Sequence, residues 1–153
     1  MRRLSLLILV LGSFAFAGSA GAVSGKIVKV LPHFIDMQGR HTKSPSLFDR
    51  DAYQTWLRQH PEKRSGVRYD IHWKAKNLQN ELMLRVELRG IAEGKLPKEK
   101  TLQANVKAST GWARWTDFSV TGDDYKALGE VTAWRVTLWD GDTLVDEQTS
   151  FLW

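Results

Sequence analysis

Four histidines, His33, His41, His60 and His72, are the first residues in this chain that could hold a metal or move a proton. No two of them lie at helical or hairpin ligand spacing, so each reads as a surface or turn residue. His72 alternates with Arg68, Asp70 and Lys74, which suits a solvent face. The acidic pairs Asp123-Asp124 and Asp140-x-Asp142 bring a calcium loop to mind, but DGDTLVDE lacks the alternating ligands and late glutamate of an EF-hand. Turn chemistry accounts for Asp140 and Gly141 without an ion. The serines of SPS and TSF sit in no G-x-S-x-G elbow, and no base is marked out for them. No pair of carboxylates is singled out for glycoside hydrolysis either. Cysteine is absent, which excludes disulfides, thiolate metal sites and a lipid-attached cysteine. The expectation is a non-enzyme without metal or cofactor.

The aromatic residues offer a different chemistry. Alternation within the strands described below turns Trp115 and Trp139 outward, with Arg135 and Thr137 beside them. Tryptophan faces stack on the apolar C–H faces of sugar rings, while arginine supplies hydrogen bonds. Trp115, Arg135, Thr137 and Trp139 are therefore the candidate binding residues. The competing reading packs these tryptophans beneath a helix or loop, because large aromatics are usually well buried.

The elements that must position them lie within residues 23–153. The preceding segment, MRRLSLLILVLGSFAFAGSAGA, has two arginines, a short apolar run and a small-x-small ending at Ala20-Gly21-Ala22. It reads as a signal peptide, residues 1–22, cleaved after Ala22. A membrane anchor is disfavoured because Gly12 and Ser13 interrupt the apolar run. The twin arginines suggest the folded-protein export route, but their flanks favour ordinary secretion. Without Arg2 and Arg3 the balance is 20 basic to 17 acidic residues, interspersed. That is a mildly basic solvated surface, without a nucleic-acid footprint, and no integral membrane segment follows the signal. A mature domain of this size buries roughly two-thirds of its unfolded surface. Such a chain can hold together by its core alone, in a bacterial periplasm or outside the cell.

Residues 25–36 read as an edge strand or as a strand with a break at Pro32, followed by a polar connector over 37–46. LFDRDAYQTWLRQHP changes to helical period, predicting a short helix at 49–60. Asp49 would cap it, Tyr53, Trp56 and Leu57 would pack, and Pro61 would close it. In VRYDIHWKA, Val67, Tyr69, Ile71, Trp73 and Ala75 alternate inward. Leu82, Leu84, Val86 and Leu88 do so in the next strand, and Leu102, Ala104 and Val106 in a shorter one after a flexible IAEGKLPKEK crossover. In GWARWTDFSV, parity with Phe118 and Val120 sends Trp112 inward and Trp115 outward. GDDYKALG is read as a turn. Trp134, Val136 and Leu138 then face the core, Asp140-Gly141-Asp142 makes a hairpin, and Phe151, Leu152 and Trp153 would pin the returning strand.

Seven evenly spaced strands without a βαβ rhythm predict an all-β antiparallel sandwich with one short helix inserted between the first two strands. Over residues 66–153 the pattern resembles fibronectin type III and related immunoglobulin-like domains. Trp73 in IHWKA stands where their second strand carries a core tryptophan, and LRVEL follows as the third strand. Leu128 and Trp134, six apart, are similar to the leucine-to-tyrosine corner before their sixth strand, with tryptophan here in place of the tyrosine that would bond the backbone. The resemblance implies an immunoglobulin-like fold. The expected function is an exported binding module contacting an envelope or extracellular protein. A carbohydrate-binding module taking a polysaccharide is the alternative. A small outer-membrane barrel is a third reading, opposed by the helix, by LPKEK and by the lack of tyrosine girdles. A hydrolase comes last.

Overall fold

The computed structural model describes residues 24–76, 81–92, 96–107 and 112–153. The expected signal segment at 1–22 lies outside the described residues, as do 93–95 of the crossover. The order is β1 (Ser24–Asp36), α1 (Leu47–Gln59), a 3₁₀ turn (Pro61–Lys63), β2 (Arg64–Lys76), β3 (Leu82–Ile91), β4 (Pro97–Val106), β5 (Arg114–Thr121), α2 (Gly122–Leu128), β6 (Glu130–Asp140) and β7 (Thr143–Thr149).

The strands pair into two antiparallel sheets, β1-β2-β5 and β4-β3-β6-β7. The first, second and fifth strands share one layer, and the third, sixth and seventh share the other, joined by β4. This is the division of an immunoglobulin-like sandwich. The core forms where the inward residues of β2 and β3 meet those of β5 and β6. Tyr69, Ile71, Trp73, Leu82, Leu84, Val86, Leu88, Val136 and Leu138 are all buried there. Trp73 is the large central plug, and its Nε1 donates to Thr116 Oγ1 at 2.9 Å, so its one polar atom is satisfied. Trp134 is half-buried against the core, with its ring edge-on to Tyr69 at 6.3 Å.

The hairpin joining β6 and β7 has Gly141 and Asp142 between the paired Asp140 and Thr143. Gly141 has φ 58°, a conformation that two-residue hairpin turns require and glycine adopts without strain.

Several expectations are corrected. There are two helices among the described residues, since GDDYKALG forms α2 instead of a plain turn. Asp123 and Asp124 lie in its first turn and Lys126 in its last, as the helix dipole favours, and Gly129 closes it. Helix α1 begins before Asp49. Its cap is Ser46, whose Oγ accepts the Asp49 N–H at 3.4 Å. Trp56 leaves the packing face, which Gln54 takes beside Tyr53 and Leu57. PKEK belongs to β4 and not to a crossover. Trp112 is 77% exposed, because β5 starts only at Arg114 and strand parity does not reach it. Thr116 fills the inward position instead. Phe151 and Leu152 are exposed, and only Trp153 is held down.

Candidate functional site

The outer face of the four-stranded sheet is laid out by register. Glu87 lies between Thr101 of β4 and Arg135 of β6, and Arg85 lies between Gln103 and Thr137. Met83 stands opposite Trp139, which in turn pairs with Leu144 of β7. On β3 and β6 the inward neighbours are buried leucines and valines, so alternation delivers these residues to the outside.

Three of the four candidate residues meet here. Arg135 grips Glu87 through two bonds, Nε to Oε2 at 2.7 Å and Nη2 to Oε1 at 3.0 Å. The Glu87 carboxylate holds the Arg135 guanidinium above its ordinary pKa. Trp139 Nε1 donates to Thr137 Oγ1 at 2.8 Å, and Thr137 is buried on this face. The Arg85 guanidinium lies 5.5 Å from the Trp139 ring centre. Further along, Trp153 lies beneath Arg89 at 4.0 Å and near Arg135 at 5.1 Å. These are arginine–aromatic contacts of the cation–π type. Sequence reasoning missed Arg85 and Arg89. Both alternate with the inward leucines of β3, but nothing in one strand says which tryptophan a cross-strand arginine will reach.

Trp115 does not join them. It stands on β5, opposite His72 of β2, on the outer face of the other sheet. Trp115 is 55% exposed, and its ring is stacked on the His72 imidazole, centres 4.6 Å apart and planes within 14°. The four candidates therefore occupy two faces separated by the core.

Two other clusters bear on chemistry. Tyr53, Trp56 and His60 form a column along α1, with ring centres 5.8 and 4.5 Å apart, and Lys43 Nζ lies 4.3 Å from the Tyr53 ring. His33, expected on the surface, is buried beneath His41, and neither of its ring nitrogens has a hydrogen-bond partner. A cleft of about 350 Å3 opens between Met37, Pro61, Arg64, Tyr125 and Gly129. Ser65 lines it, but the Ser65 hydroxyl donates to the Asp36 backbone carbonyl, so no base activates it. Among the described residues no group of three histidine, aspartate or glutamate side chains could hold a metal, and no helix is long and apolar enough to cross a membrane.

No family model matches the chain, and no curated protein does. Among solved structures, the chain is similar to an immunoglobulin-like protein from Pseudomonas aeruginosa. The two are 10% identical with a TM-score of 0.39, and the likeness covers 86% of this chain and 97% of that one. The immunoglobulin-like assignment rests on the strand order of the two sheets.

Proposed function

We propose that the protein is a non-catalytic exported binding module, and that it docks an envelope or extracellular protein on the outer face of its four-stranded sheet. The observation that carries this reading is the arginine–tryptophan array of Arg85, Trp139, Arg89, Trp153 and Arg135. Tryptophan and arginine dominate the energetics of protein interfaces. Here their side chains are already held by ion pairs and stacking, which lowers the entropy lost on docking. Four paired strands also make a broad surface whose pocket beside Glu87, Arg89, Arg135 and Trp153 holds only about 130 Å3, small for a ligand site, so the face suits a protein better than a small substrate.

A photo-crosslinking residue at Leu144, an exposed position at the rim of this face, tests the proposal in the cell envelope. The expected result is a discrete adduct with one protein, lost when Trp139→Ala and Arg85→Ala are added. The same probe at Thr55, on the outer side of α1, should give no such adduct. Equal adducts from both positions, or adducts insensitive to the two alanines, would overturn it.

A further inference from the structure

The lysines of this chain look evenly mixed with acidic residues along the sequence, but the fold sorts them. Ile27 and Trp73 pair across β1 and β2, and both are buried in the core. Alternation therefore turns their neighbours outward. Lys26 of β1 and Lys74 of β2 stand directly opposite each other, and Lys76 lies two residues further along β2. Beyond the irregularity at Val28, Lys29 pairs with His72, and His72 pairs with Trp115. One end of the outer face of the three-stranded sheet thus carries four exposed lysines beside a stacked His72–Trp115 pair.

None of these lysines makes an ion pair among the described residues. The acidic residues of the next row are already occupied. Asp70 binds Arg68 at 2.8 Å, and Asp117 faces the same arginine at 3.4 Å. Like charges opposed across two strands cost stability. The Lys26–Lys74 pair is therefore a feature that folding disfavours and an anion would relieve.

We infer that this face binds an acidic polysaccharide, with the uronate or other anionic groups on Lys26, Lys29, Lys74 and Lys76 and one sugar ring on Trp115. Charge complementarity selects a polyanion. The indole selects a ring with an apolar face: it is stacked flat on His72 and presents its other side. An anionic membrane would instead call for side chains that project and insert. Choosing a saccharide over nucleic acid rests on the proposed export. The site is separate from the arginine–tryptophan face, so a protein and a polysaccharide can be held at once.

The test titrates the purified protein with polygalacturonate, its fully methyl-esterified form, double-stranded DNA and phosphatidylglycerol vesicles, followed by tryptophan emission and by co-sedimentation. Polygalacturonate is expected to bind, and its neutral ester to fail. Lys26→Gln with Lys74→Gln should weaken binding by about tenfold or more, and Trp115→Ala by a similar factor. Lys43→Gln with Lys63→Gln removes the same charge elsewhere and should leave affinity within about twofold. The Lys26/Lys74 variant should also melt no lower than the native protein, since it loses only repulsion, which shows that weakened binding is not unfolding. Equal weakening by the control pair, retention of affinity in Trp115→Ala, tighter binding to DNA or vesicles, or no binding to polygalacturonate would each overturn the inference.

Discussion

The Arg64 guanidinium is buried at the start of β2, where it joins the end of α1 to β6. Its Nε donates to the Leu57 carbonyl at 2.7 Å, Nη2 donates to the Arg58 carbonyl, and Nη1 donates to Glu130 Oε2 at 2.9 Å. Its plane lies over Phe34 at 3.9 Å. The last carbonyls of a helix lack partners within the helix, and here one planar fork supplies two of them. Lysine has a single ammonium and no plane, so it cannot reproduce this set. Arg64→Lys is expected to cost about 1–3 kcal/mol in urea unfolding, because the Arg58 carbonyl loses its donor and the buried Leu57 carbonyl keeps only the longer bond from the His60 N–H, 3.3 Å. Glu130 is more than half exposed, and Glu130→Gln should cost less than about 1 kcal/mol. Equal losses in the two variants would show that the ion pair, and not the carbonyl caps, carries the energy.

Strand β1 lies at the edge of its sheet, and edge strands offer backbone groups to other chains unless they are covered. Side chains cover this one at two points. Ile27 donates its N–H to Asp146 Oδ2 at 2.7 Å and accepts from Gln148 Nε2 at 3.0 Å, both from β7 of the opposite sheet. Phe34 donates to Gln54 Oε1 at 2.7 Å and accepts from Gln54 Nε2 at 2.9 Å, so one amide of α1 mimics a neighbouring strand. Pro32 between them has no N–H to offer. Gln54→Leu should therefore destabilise the protein by about 1–3 kcal/mol and increase light scattering on prolonged incubation. Unchanged stability and solubility would sink the idea that the amide guards the edge. The sequence reading could find α1 from its period, yet it placed Trp56 on the buried face, because Gln54 earns burial only through the strand it caps. Helix α2 escaped notice for a related reason. Seven residues are too few to form a helix alone, and it is Leu128 and Tyr125 packing on the core that hold it.

At the scale of the molecule, alternation made the inner faces of the sheets legible, since each strand's parity is local and strongly specified where one side is buried. The outer faces were not legible. Which lysines cluster, and which tryptophans share a surface, depends on pairing between distant strands, so the four candidate residues were divided and the lysine face was hidden. The same pairing gives the whole fold a pH dependence. His33 lies under His41, beside Asp70, Arg68 and Arg50. Burial, opposed by the Asp70 charge and aided by His41 and the two arginines, holds its pKa below the ordinary 6.5. A depressed histidine means that the unfolded chain binds the proton more readily, so stability is full above pH 6.5 and falls as pH drops towards the folded value. Asp36 acts lower. Burial raises its pKa, but the Tyr53 hydroxyl at 2.6 Å, the Arg40 N–H and guanidinium and the Gln38 N–H outweigh burial and set it at about 2. Its contribution, about 2 kcal/mol, is present above pH 3.8 and is lost as pH falls towards 2. Urea unfolding between pH 8 and 2 should show both declines. His33→Phe, which keeps a ring against His41, should flatten the upper one and leave the lower. Asp36→Asn should lose stability at neutral pH and flatten the lower decline. A slope between pH 7 and 5 that persists in His33→Phe would assign that decline to another group.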